Sequence, residues 1–153
     1  MRATGGSAIG DTSAVVLDNV SGATFQLDAS ETVGSIDGGG TSGGNINLQA
    51  NALTTGGNNS STTYAGTISG TGGSLVKNGT GTLTLSVANS YTGGTTINGG
   101  TIRAGTNTSL GSGAITAGNG AAYGAGYASG GTPFLAVTST AAATLANDIA
   151  LPN

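Results

Sequence analysis

The sequence predicts an all-β chain wound as a parallel β-helix, and three observations predict it. Apolar residues alternate with Thr, Ser and Asn at period two; in Thr82-Leu83-Thr84-Leu85-Ser86 both Leu fall on one face and the hydroxyls on the other. These segments run to about three to five residues and stop at Gly, Asn, Asp or Ser, the residues that build turns. Their apolar positions also recur at one interval: Leu75, Ile97 and Ile115 are 22 and 18 residues apart, and Leu83 and Ile102 are 19 apart. That is the pattern of short coils stacked like on like.

The elements follow in order. Val15 to Val20 alternates and ends before Gly22; Thr24 to Asp28 restarts after that Gly and ends at Ser30. Asn45 to Gln49 follows Gly43-Gly44, Thr67 to Ser69 is bounded by Gly66 and Gly70, and Thr82 to Ser86 follows Gly81. Thr95 to Asn98, Thr101 to Ala104, Ala114 to Ala117 and Phe134 to Thr138 repeat the form. No window carries a 3.6-residue apolar period of helical length, and Gly with β-branched residues disfavours helix. A sandwich or barrel would need longer strands and a thicker aromatic core, whereas the inward candidates here read as small to medium. A coil of roughly 18–22 residues gives about seven coils and a rod of about 35 Å.

Composition narrows the function classes. Of 153 residues, 31 are Gly and 6% are charged, against about a quarter charged in an ordinary soluble domain. Disorder is argued against by the scarcity of charge and Pro and by the regular spacing of Val, Ile and Leu. The net charge is −3, and the cations are Arg2, Lys77 and Arg103. There is no basic stripe for nucleic acid or for an anionic membrane surface, and no apolar run long enough to span a bilayer. Zero Cys excludes a disulfide framework and thiolate metal sites. Met1 runs straight into repeat-like sequence and reads as a segment boundary, not as the start of a signal peptide. Low charge without Cys suits a chain exported unfolded.

A longer internal repeat is also expected. Met1-Arg2-Ala3 matches Ile102-Arg103-Ala104, and Ala8-Ile9-Gly10 faces Ser109-Leu110-Gly111, both at an offset of 101. This divides the chain into a full unit, 1–100, and a partial one, 101–153.

Two adjoining runs are specific enough to name. Gly72-Gly73-Ser74-Leu75-Val76-Lys77-Asn78-Gly79-Thr80-Gly81-Thr82-Leu83-Thr84-Leu85-Ser86 and Ala88-Asn89-Ser90-Tyr91-Thr92-Gly93-Gly94-Thr95-Thr96-Ile97-Asn98-Gly99-Gly100-Thr101-Ile102 resemble the passenger-associated transport repeat of type V secreted proteins. Tyr64 to Gly70 and Leu145 to Leu151 resemble sequence that flanks such repeats, so the motif is bounded at 64–105. Val87 departs from the pattern, which would have Gly there. The resemblance implies a right-handed parallel β-helix and makes 1–153 one segment of a longer autotransporter passenger, secreted to or displayed on a Gram-negative cell surface. It implies a C-terminal β-barrel translocator as partner, and a role as stalk or as adhesive surface for a host or glycan ligand. Coil ends with no evident cap leave end-to-end self-association open.

Candidate sites were weighed against their structural roles. Asp18, Asp28, Glu31 and Asp37 cluster within 20 residues, and Asp18 and Asp28 would stack if on neighbouring turns. Paired carboxylates are the tools of polysaccharide-cleaving β-helix enzymes, but only Phe25 is near as a sugar platform, and turn-forming Asp is the default. Asp37 to Ile46 approaches a Ca²⁺ nonapeptide, yet Ser42 stands where a carboxylate is needed. Lys77 could serve only a Ser-Lys pair and otherwise reads as a solvated charge. Gly70 to Gly73 lacks the Lys and helix of a phosphate loop. Asn78, Asn89, Asn98 and Asn107 are expected at turns, stacked as amide ladders. Thr82, Thr84, Thr95, Thr96 and Thr101 could form an outward rank of the kind seen in ice-binding solenoids, and Tyr123 and Tyr127 are the remaining aromatic candidates for a ligand groove. No catalytic residue, cofactor or metal ligand is assigned.

Overall fold

The computed structural model describes residues 1–117, 122–127, 133–138 and 143–145; among these there is no helix. Seventeen strands follow one another: β1 (Arg2–Ala3), β2 (Ala14–Leu17), β3 (Thr24–Leu27), β4 (Glu31–Thr32), β5 (Ser35–Gly38), β6 (Asn45–Asn47), β7 (Ala52–Thr55), β8 (Thr62–Tyr64) and β9 (Ile68–Ser69). They continue as β10 (Ser74–Lys77), β11 (Thr82–Leu85), β12 (Thr95–Ile97), β13 (Thr101–Ala104), β14 (Ile115–Ala117), β15 (Ala122–Tyr127), β16 (Pro133–Thr138) and β17 (Ala143–Leu145).

The strands sort into three sheets, ordered β1-β3-β6-β9, β2-β5-β8-β11-β13-β16-β15 and β4-β7-β10-β12-β14-β17. Through β14 every strand-to-strand ladder is parallel; from β2 to β11 the chain visits the three sheets in turn, then alternates between the second and third, and each coil lies against the one before. Register partners are 19 to 26 residues apart. This is the expected β-solenoid, with about five coils where the spacing argument gave about seven. The count falls because β16 and β17 pair antiparallel with β13 and β14 and add no further parallel coil, and because two register steps, Arg2 to Gln26 and Gly38 to Tyr64, are longer than assumed.

Alternation puts one face of most strands from β2 to β13 inside. Phe25, Ile46 and Ile68 stack in the first sheet, Leu53 and Leu75 in the third, and Leu83 and Ile102 in the second. All are buried in one continuous core. The interior is not confined to small and medium groups. Tyr64, Tyr91, Phe25 and Lys77 are among the largest fully buried side chains. Tyr64 fits because Gly66 leaves room for its ring, a Cβ there standing 2.6 Å from the hydroxyl, which donates to the Gly44 carbonyl at 2.6 Å.

Two pairings differ from the spacing argument. Leu75 and Ile115 both lie opposite Thr95, and Ile97 lies opposite Lys77 and Ala117, so the matches of Leu75 with Ile97 and of Ile97 with Ile115 are each off by two residues. The Leu83–Ile102 match holds. Met1-Arg2-Ala3 and Ile102-Arg103-Ala104, the two ends of the 101-residue offset, lie in different sheets. The stretch 146–151 lies outside the described residues.

Truncating a stacked core residue leaves a cavity that short, laddered coils cannot close. Leu75→Ala should therefore cost about 2–5 kcal/mol, read as a lower urea midpoint. Thr84→Ala on the outward face should leave the midpoint nearly unchanged.

Candidate functional site

The features with chemical content are a set of polar side chains turned into the coil and a polar outer face on the second sheet. The buried set runs along the chain from Glu31 to Ser109 and includes Lys77, Asn89 and Thr95.

Lys77 is the last residue of β10, on the inward parity of its strand, and is 1% exposed. The expected solvated lysine is thus a buried one. Its Nζ donates to the Asn78 carbonyl at 2.6 Å and lies 3.5 Å from those of Gly79 and Gly99, the last belonging to the following coil. Space for the ammonium comes from two corner glycines. Gly56 (φ +103) and Gly100 (φ +68) hold left-handed backbone, and a Cβ at either would stand 2.9 Å from Nζ. Burial lowers the Lys77 pKa below that of a free lysine, because desolvation disfavours the charged form. No hydroxyl of a Ser bonds the ammonium, so no Ser-Lys pair is formed.

Asn89 does the work of a strand. The first sheet ends at β9, and Asn89 lies on the next coil at that position. Its Oδ1 accepts from the Ile68 N–H at 2.7 Å, its Nδ2 donates to the Ser109 carbonyl at 2.6 Å, and its own N–H donates to Thr108. One amide joins three successive coils. Tyr91, two residues on, points the same way. Its hydroxyl is 2.6 Å from Thr95 Oγ1, which donates to the Leu110 carbonyl at 3.0 Å, so Tyr91 is the donor to Thr95. Burial raises the Tyr64 and Tyr91 pKa values well above the ordinary phenol range. Glu31 is the counterpart at the first coil: buried on β4, its carboxylate accepts from the Ala8 and Ile9 N–H groups at 3.0 and 3.3 Å.

The predicted carboxylate cluster is dispersed. Glu31 is inside the third sheet, Asp37 is on the second, Asp28 follows the first, and Asp18 is an exposed turn residue. Among the described residues no group of acidic side chains could hold a metal ion. Asp28 pairs with Arg2 at 2.7 Å and accepts from Gln26 and Gln49. The Arg2 guanidinium beside it, then the Gln26 amide, hold its carboxyl at about 2. The Asp37 to Ile46 loop is tied instead by Asn19, whose Oδ1 accepts from the Ser42 and Gly43 N–H groups at 2.8 and 3.1 Å. Of the amide ladder, Asn98 Nδ2 donates to Asn78 Oδ1 at 3.0 Å, whereas Asn107 is an exposed turn residue.

The outer face retains part of the threonine rank. Thr63, Thr84 and Arg103 are register neighbours, and Ser61, Thr62, Thr82 and Asp37 complete the rim of a shallow depression of about 490 Å³. Thr95 and Thr96 are absent from that face because β12 belongs to the third sheet, where Thr95 is also turned inward. Tyr123 and Tyr127 are on β15, with side chains outside the described residues.

Comparison with known proteins bears on the same segment. Residues 75–104 match the family model of the passenger-associated-transport-repeat. Over 105 residues, 67% of this chain, the sequence is 46% identical to the adhesin BmaC autotransporter of Brucella suis biovar 1 (strain 1330). The chain is an autotransporter passenger segment. It spans about 3% of the length of that relative. No solved structure matches. The matched segment contains Lys77, Asn89, Tyr91 and Thr95, all of them buried.

No signal beyond the repeat pattern marked Asn89, Tyr91 or Thr95 as internal; alternation alone would have put Thr95 on the same parity as Ile97, and hence inside. Glu31 was visible only as an acid.

Two pH effects follow. Asp28 has a depressed pKa in the fold, so the stability it contributes is present above the unfolded value near 4 and is lost as pH falls toward 2. Arg2→Ala should move the Asp28 midpoint back up toward an ordinary aspartate, read by NMR titration. Tyr64 and Tyr91 have raised values, so their contribution is whole below about pH 10 and is lost as pH rises beyond it. Phenolate absorbance from these two rings should appear together with unfolding, not before it.

Proposed function

We propose that this segment is a structural stretch of the passenger, a stalk that supports export, folding and display at the surface of a Gram-negative cell. The observation that carries the reading is the destination of the buried polar groups. Glu31, Tyr64, Lys77, Asn89 and Thr95 all bond backbone, and each links one coil to an adjacent one. No buried side-chain polar atom among the described residues is left over for a substrate. A chain of this design folds by adding coils to a coil already in place, which suits a passenger threaded outward as an extended polymer. The C-terminal β-barrel of the parent protein is the translocating partner in this reading, and no enzymatic step is assigned to the segment.

A second reading, adhesion to a host or glycan ligand, is favoured by the depression rimmed by Asp37, Ser61, the threonines and Arg103, and by the printed description of the Brucella relative as an adhesin. The two readings separate in the parent protein on intact cells. Asn89→Ala should lower the amount of passenger displayed, measured by surface labelling of a tag outside this segment. The outward triple variant Thr63→Ala, Thr84→Ala, Arg103→Ala should leave display unchanged. Normal display of the Asn89 variant would count against the stalk reading, and loss of glycan binding by a normally displayed triple variant would move the adhesin reading to the front.

A further inference from the structure

The apolar pattern of the repeat fits more than one register. A slip of one residue between β10 and β12 would turn every inward side chain outward, and burial forbids it. A slip of two residues keeps every parity. It would set Leu75 opposite Ile97, apolar on apolar, where the structure has Leu75 opposite Thr95 and Lys77 opposite Ile97. Apolar contact alone therefore favours the register that is not adopted.

What the adopted register supplies is polar. Lys77 Nζ reaches the Gly99 carbonyl of the next coil while keeping those of Asn78 and Gly79, in a space that Gly56 and Gly100 leave open. Thr95 stands between the Tyr91 hydroxyl and the Leu110 carbonyl. A two-residue shift displaces a strand by roughly 6.6 Å along its axis, well beyond hydrogen-bond reach. It would carry the Gly99 carbonyl and the space at Gly100 away from Lys77 Nζ, leaving it only the carbonyls of its own coil, and would break the Tyr91–Thr95–Leu110 chain if either partner moved alone. A buried ammonium without a carboxylate is a poor stabiliser compared with a packed apolar side chain, and its best-attested use elsewhere is to specify register.

We propose that Lys77 and Thr95 are the register lock of this passenger repeat, buried to reject the two-residue slip that the apolar alternation permits. Each coil is the template for its neighbour, so an error admitted here would be copied along the ladder. The inference concerns the order of stacking and does not depend on whether the surface binds a ligand.

The chain has no Cys, so introduced pairs report register directly in the 153-residue protein. Directly opposed positions in neighbouring parallel strands lie about 4.8 Å apart, inside the Cα window for a disulfide, whereas diagonal positions lie roughly 8 Å apart, outside it. Val76→Cys with Thr96→Cys reports the observed register, and Ser74→Cys with Thr96→Cys reports the slipped one. In the otherwise unchanged chain only the first pair should cross-link on oxidation. Adding Lys77→Met should make the second pair cross-link in part of the population. Thr95→Val, which keeps shape and removes one hydroxyl, carries the same expectation and serves if the Lys77 variant fails to fold. Exclusive Val76–Thr96 cross-linking in the variants that retain a cooperative unfolding transition would overturn the proposal, as would a Ser74–Thr96 cross-link in the chain with Lys77 and Thr95 intact.

Discussion

Backbone pairing between successive coils is the constraint on which the rest of the molecule depends. Its parallel strands are two to four residues long, too short to persist singly or in pairs in water. There is no Cys to tie them, and Arg2–Asp28 is the ion pair among the described residues. Each coil is held because its N–H and C=O groups are met by the coils on either side, while its inward side chains continue a column. Everything else serves to keep that ladder unbroken where the chain turns or a strand is missing.

The buried polar residues are best understood as repairs to the ladder. Past β9 the first sheet has no further named strand, and the Asn89 amide takes over its bonds to Ile68 and Ser109. At the other end Glu31 accepts two N–H groups from the Ala8–Ile9 turn. Lys77 fastens a corner at which carbonyls from two coils converge. A polar group left unmet inside costs about 1–3 kcal/mol, so each such residue makes its coil depend on the neighbour that satisfies it. Of these residues, Lys77 and Asn89 lie in the segment that matches the passenger repeat.

Much of this was legible in the sequence because alternation is a local signal. Thr82 to Ser86 reads as a strand, and β11 covers Thr82–Leu85; Thr24 to Asp28 and β3, or Thr101 to Ala104 and β13, agree as closely. Register was less legible, since a period of two cannot distinguish Leu75 opposite Thr95 from Leu75 opposite Ile97. Coil number came out slightly high because alternation does not tell parallel from antiparallel pairing, as at β16 and β17, and because the longest register step, Gly38 to Tyr64, spans a Gly-rich loop with no pattern of its own. Lys77 was misread as solvated because a long cationic side chain is almost always exposed, and only the tertiary corner, with its glycines and converging carbonyls, provides room for it. Tyr64 was hidden likewise, its space left by Gly66 and its hydroxyl met by the Gly44 carbonyl of the preceding coil.

The central claim is that a buried side chain substitutes for a missing strand in holding coils together. Native-state hydrogen exchange at the Ile68 amide, whose N–H is bonded to Asn89 Oδ1, tests it most directly. In the unaltered chain this amide should be protected to a degree comparable with that of Ile46, which donates to the Thr67 carbonyl within the ladder. In Asn89→Ala the Ile68 amide should lose protection while that of Ile46 keeps most of its own. Equal protection of Ile68 with and without the Asn89 side chain would contradict the account.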